Sequence, residues 1–156
     1  METASVSHIR KELKNLPPEA LQELILRLSR FKKENKELLS YLLFEADNEA
    51  EYIRDVKKEI DREFLSLNRS SYYLAKKTLR KVLKTTNKYV RYSGKKEIEI
   101  ELLLYFCKKM KTSKLNYKAN RVVFNLYINQ IKRIEKAISG LHEDLQFDYR
   151  EELEAL

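Results

Sequence analysis

The sequence contains few of the residues that interrupt regular structure, with two glycines and two prolines in 156 residues. So few breakers leave few places for tight turns, which favours long helices over many short strands. Glycine is also too scarce for a loop that cradles phosphate or for a dinucleotide-binding fingerprint. The low glycine and proline content therefore predicts an all-α protein rather than a nucleotide-binding α/β fold.

Cysteine is nearly absent, and the one present, Cys107, cannot form a disulfide within the chain. This is typical of a reducing compartment. The first residues lack the apolar run expected of a signal peptide, and the longest apolar run, residues 102–107, is far too short to cross a bilayer. We therefore expect a cytoplasmic protein without a membrane span. Cys107 lies in that apolar run, which favours a buried core residue over a nucleophile.

Catalytic and metal-binding motifs are missing as well. The two histidines, His8 and His142, lie near opposite ends, and no Cys-x-x-Cys, His-Glu-x-x-His or Glu-x-x-His occurs. The acids after His142 are best explained as the first turn of a helix, where the helix dipole favours negative charge. We therefore predict neither catalytic residues nor a metal site nor a cofactor, and hence a non-enzymatic protein.

Apolar residues recur at helical spacing along most of the chain. One segment, residues 95–111, has two readings, because Glu97 to Glu101 alternate with isoleucine as in a strand. Ile98, Leu102 and Met110 also fit a helical stripe, and we favour the helix. Short connections predict antiparallel neighbours, and so seven to eight helices in a compact bundle or a short array of helical hairpins. The predicted helices are 4–15, 18–31, 33–45, 49–67, 70–93, 95–111, 117–139 and a tail helix in 141–156.

The length is that of a single helical domain, residues 1–156. The helix at 33–45 is broadly apolar and is therefore predicted to be central. Residues 38–42 resemble residues 102–106, which suggests a weak two-fold repeat of 18–67 and 70–139. The acidic tail, residues 141–156, has a narrow apolar stripe and is predicted to dock on the rest of the chain.

Charge is distributed unevenly. The net charge is +8, and residues 70–136 carry 18 basic against 4 acidic residues. Residues 1–69 are nearly neutral, with 13 against 14, and residues 137–156 have 1 against 6. The chain thus has a basic centre and an acidic tail, and the centre is the part most suited to an acidic partner.

The basic centre begins with residues 70–93, which contain seven cations and no acid. As a helix, this segment places six cations within an arc of about 100° and its apolar residues opposite. Ser70 or Ser71 is a suitable N-cap, and Gly94 a suitable C-terminal residue. Tyrosines lie in or beside the arc. The candidate binding residues are Lys77, Arg80, Lys81, Lys84, Lys88 and Arg91 with Tyr73 and Tyr92.

Three interpretations of this basic face remain open. It binds an acidic protein or a second subunit, making the chain a non-catalytic interaction or scaffold module, which we favour. Alternatively it binds nucleic acid, with counterion release supplying affinity and Tyr73 and Tyr92 stacking on bases. Lys108, Lys109, Lys111, Lys114, Lys118 and Arg121 would then extend the patch. In the third interpretation it is a solvated helix face, partly neutralised by the acidic tail.

Overall fold

The computed structural model describes all 156 residues and contains eight α-helices and no strand, which confirms the predicted fold class. A π-helical turn, Tyr41–Glu45, follows α3, and a 3-10 turn, Tyr117–Ala119, precedes α7. The helices are α1 (Val6–Lys14), α2 (Pro18–Phe31), α3 (Lys33–Ser40), α4 (Glu49–Phe64), α5 (Tyr72–Ser93), α6 (Lys96–Thr112), α7 (Arg121–Ile138) and α8 (Glu143–Glu154).

The helix ends follow from local sequence chemistry. Side chains of Ser5, Asn48, Ser71 and Asn120 each accept a hydrogen bond from an amide in the first turn of the following helix. Gly94 ends α5 in the left-handed conformation, with φ of 64°, and its N–H donates to Val90. A residue without Cβ adopts this conformation without strain, so the predicted cap and stop of α5 are both confirmed.

The chain divides into two compact units, residues 1–44 and 45–156. In the second unit α6 is the central helix, because it packs against α4, α5, α7 and α8. Its buried residues extend well beyond one narrow stripe of the helix: Ile98, Ile100, Leu102, Leu103, Leu104, Phe106, Cys107 and Met110. This burial explains why isoleucines at alternating positions occur in a helix here, as we predicted, and not in a strand.

The prediction that residues 33–45 form a central helix is wrong. The α-helix ends at Ser40, and none of its residues is buried. Leu42, Leu43 and Phe44 in the π-helical turn are all exposed. The apolar composition of residues 33–45 correctly indicated an apolar surface, but most of that surface is exposed to solvent in the first unit. The proposed repeat stays a prediction, and residues 38–42 and 102–106 lie in different environments.

The first unit consists of α1, α2, α3 and the start of the π-helical turn. The helices α2 and α3 pack against each other, while α1 packs substantially against neither. None of the residues in these three helices is buried. The apolar faces of these three helices are therefore not buried in a core within the unit.

The acidic tail forms α8, which packs on α7 and α6. No residue of α8 is buried, although Tyr149 and Leu153 are half-buried. None of the eight helices combines the length and apolar character needed to cross a bilayer.

Candidate binding site on the basic face of helix α5

Helix α5 is anchored by one apolar side, as its amphipathic pattern predicts. Ala75, Leu79, Val82, Thr86 and Val90 are buried against the second unit's core. The buried Thr86 hydroxyl donates to the Val82 carbonyl, which satisfies its hydrogen-bonding group within the helix. Because this side of α5 is packed on the core, the predicted cations on the opposite side lie at the protein surface.

Three of the predicted cations, Arg80, Lys84 and Arg91, lie in an open hollow of about 500 Å³ between α5 and α7. We name this hollow the basic groove, and its lining residues are Arg80, Leu83, Lys84, Asn87, Arg91 and Arg133. It contains three guanidinium groups and one ammonium group. Because guanidinium presents a rigid fork of donors, such a set suits carboxylate or phosphate groups.

Arg133 comes from α7 and was not among the predicted site residues. Its Nε donates to Glu99 Oε1 at 2.5 Å, and a terminal nitrogen donates to Asn87 Oδ1 at 2.5 Å. These bonds restrain the guanidinium of a side chain that lines the groove. The sequence places Arg133 between the inward-facing Gln130 and Ile134, but this position does not reveal which helix it meets.

The remaining predicted cations lie outside the groove. Lys77 is exposed and does not line the groove. Lys81 faces α4, where its Nζ lies 3.8 Å from the carboxylate of Glu63. Lys88 is half-buried, with its Nζ 4.8 Å from the centre of the Tyr89 ring. The predicted cations therefore do not form one site: Lys81 lies near α4, whereas the cations of the basic groove lie near α7.

The two predicted tyrosines have different surroundings. Tyr73 is 71% exposed, and Lys76 Nζ lies 5.7 Å from the centre of its ring. Tyr92 is half-buried and makes an edge contact with Tyr89 at 6.0 Å between ring centres. The residues are 19 positions apart, or roughly 28 Å along a helix. They therefore do not form a joint stacking platform.

The cations expected to extend the patch do not join the basic groove. Lys108 and Lys111 line a separate hollow of about 380 Å³ together with Lys57, Glu101 and Glu152, among others. The two hollows share no lining residue. The remaining members also lie elsewhere: Lys109 pairs with Asp61 at 2.9 Å, and Lys114, Lys118 and Arg121 are exposed. The positive charge is thus divided between two surfaces.

The acidic tail contributes to the second hollow and not to the first. Glu152, Ala155 and Leu156 of the tail line the hollow with Lys108 and Lys111, and α8 packs on α7 and α6. The basic groove contains no residue of the tail. Any neutralisation by the tail therefore acts first on the cations of α6.

Two other ionisable groups, Cys107 and Tyr105, have raised pKa values. Burial raises the pKa of the Cys107 thiol to about 12, which keeps it protonated. Burial, and then the hydrogen bond to Asp61, raise the pKa of Tyr105 to about 12. No cluster of three or more histidine, cysteine or carboxylate side chains is arranged to hold a metal ion.

Comparisons with known proteins add no assignment. No protein-family model, no curated protein and no solved structure matches this chain.

Proposed function

We propose that this protein is a non-catalytic interaction module that binds an acidic protein segment in the basic groove. The observation that supports the proposal most directly is the convergence of Arg80, Lys84 and Arg91 with Arg133 from a different helix. Arginine forks form paired hydrogen bonds with carboxylates, so several of them in one groove favour a partner with closely spaced Asp or Glu.

The dimensions of the groove favour a short acidic segment. Arg80 and Arg91 are 11 residues apart, or roughly 17 Å along a helix, which is the length of about five residues of extended chain. A nucleic acid would need a longer continuous basic path, and the cations at 108–121 do not continue the groove. A protein segment with a few consecutive acids fits the groove without further contacts.

The test compares two charge reversals of equal size. Arg80→Glu with Arg91→Glu changes the net charge by the same amount as Lys118→Glu with Arg121→Glu, which lie outside the groove. Binding of a labelled oligoglutamate peptide is measured by fluorescence anisotropy at low salt. We expect the groove variant to lose at least about tenfold in affinity, equal to ~1.4 kcal/mol, and the control to stay within about twofold.

Equal losses in the two variants would mean that the peptide responds to net charge alone, and the groove would have no part in binding. Lys81→Glu is avoided in the design, because it would place a second carboxylate beside the nearly buried Glu63. Circular dichroism of both variants checks that the helices are retained.

Single-stranded nucleic acid is the second candidate, and the exposed ring of Tyr73 beside Lys76 supports it. Base stacking on an aromatic ring contributes about 1–3 kcal/mol and tolerates any sequence. The same assay with labelled oligothymidylate, and with Tyr73→Ala, separates the two candidates. A preference for the oligonucleotide that is lost in Tyr73→Ala would favour nucleic acid over an acidic protein.

A further inference from the structure

The first unit exposes far more apolar surface than the second. Thirteen large apolar side chains in residues 6–44 are 36% to 79% exposed, against six exposed ones in residues 45–156. Together the thirteen expose on the order of 1,000 Å², comparable to the ~800 Å² that each partner buries in a standard interface. Where such exposed apolar side chains form a contiguous patch, they mark an interaction site.

This surface has two complementary parts. The helices α2 and α3 form an apolar groove of about 230 Å³. Five of its seven lining residues are aliphatic: Ile25, Leu28, Leu38, Leu39 and Leu42. The amide of Asn35, also in the lining, is satisfied, because it donates to the Leu28 carbonyl at 2.8 Å. The groove thus suits an apolar helix face.

Helix α1 offers such a face. Val6, Ile9 and Leu13 lie at positions i, i+3 and i+7, on one side of the helix, and all three are exposed. The link to α2 is short, and Pro17 and Pro18 fix φ in it. A short rigid link opposes folding of α1 back onto the groove of its own chain and favours its exchange between chains.

We propose that the first unit is a self-association surface, in which α1 of one copy lies in the α2–α3 groove of a second copy. The exchange is reciprocal, so one two-fold axis covers both helices and both grooves and closes the assembly as a dimer. This surface shares no residue with the basic groove, and the proposal does not depend on the proposed function.

Charge distinguishes a second copy from other occupants. Residues 1–44 contain 8 basic and 6 acidic residues, so this unit is close to neutral, with both signs interspersed. Two copies therefore meet here without the repulsion that residues 70–136 would produce. A membrane-surface helix would instead carry a strongly basic polar face, and α2 and α3 together have four acids and four bases.

Sedimentation velocity of the full chain tests the proposal. We expect a dimer at micromolar concentration, and an increase of at least about tenfold in the dissociation constant for Leu28→Glu or Ile9→Glu. Gln22→Glu, an exposed change in α2 outside the groove, is the matched control and should leave the dimer intact. A monomer at ~100 µM, or a dimer unaffected by both Leu28→Glu and Ile9→Glu, would overturn the proposal.

Cross-linking distinguishes exchange from closure within one chain, and it remains informative if a glutamate variant fails to fold. Ile9→Cys and Leu28→Cys, carried on differently tagged copies, should form a mixed disulfide faster than either forms with itself. Cys107 is buried and stays out of the reaction. A chain carrying both changes that closes only on itself, or a monomer that instead floats with anionic lipid vesicles, would refute the second copy as occupant.

Discussion

At the scale of single residues, Glu99 competes with any bound acidic segment for the guanidinium of Arg133. Arg133 is held by Glu99, and the two side chains are partly buried, 36% and 22% exposed. The carboxylate positions the guanidinium but also occupies its Nε–H donor. A bound acidic segment must therefore share Arg133 with Glu99, which lowers the electrostatic gain from binding.

We predict that Glu99→Gln increases the affinity for oligoglutamate by about threefold, in line with the 0.2–1 kcal/mol typical of a partly exposed ion pair. Glutamine still accepts the hydrogen bond from Arg133, so the free energy of unfolding should fall by about 1 kcal/mol or less. Glu151→Gln in α8 makes the same charge change far along the chain. A weaker affinity in Glu99→Gln, or an equal gain in Glu151→Gln, would contradict this account.

The sequence predicted the α5 half of the groove but not its α7 half. Arg80, Lys84 and Arg91 were recognisable because one helix repeats its pattern every few residues, which places cations on one arc. Arg133 joins them through helix packing, and no local pattern encodes which helices become neighbours. The same limit applies to Lys108 and Lys111, which belong to the same basic part of the sequence but line a different hollow.

At the scale of helices, α6 contributes eight buried apolar residues to the second unit's core, more than any other helix, and it packs against α4, α5, α7 and α8. We predict that Leu103→Ala lowers the free energy of unfolding by about 2–5 kcal/mol, because Leu103 is fully buried and the cavity cannot be refilled by small shifts. Leu65→Ala, at a residue that is 85% exposed, should cost less than about 0.5 kcal/mol. Urea denaturation measures both, and similar values would show that α6 is not the core.

Helix existence was predictable from the sequence, whereas helix position was not. The amphipathic pattern and the caps identified α5 nearly to the residue. For residues 33–45, a broadly apolar composition predicts a central helix, but the same composition is also found in a surface that binds another molecule. The spacing of apolar residues indicates which face of a helix is apolar, but it does not indicate whether the same chain buries that face.

At the scale of the whole molecule, the two kinds of surface lie in different units. The first unit is nearly neutral with exposed apolar faces, and the second is basic with a well-packed core. Under the two proposals made above, association belongs to residues 1–44 and recognition of an acidic partner to α5 and α7. A dimer would present two basic grooves, so a partner with two acidic segments would bind with increased avidity.

The most direct measurement is the mapping of amide chemical shifts by NMR while oligoglutamate is titrated into the isotope-labelled protein. We predict that the largest changes occur between Arg80 and Arg91 on α5 and around Arg133 on α7, and that they weaken with added salt. Changes concentrated instead around Lys57, Lys108 and Lys111, or spread evenly over all exposed lysines, would contradict the basic groove as the binding site.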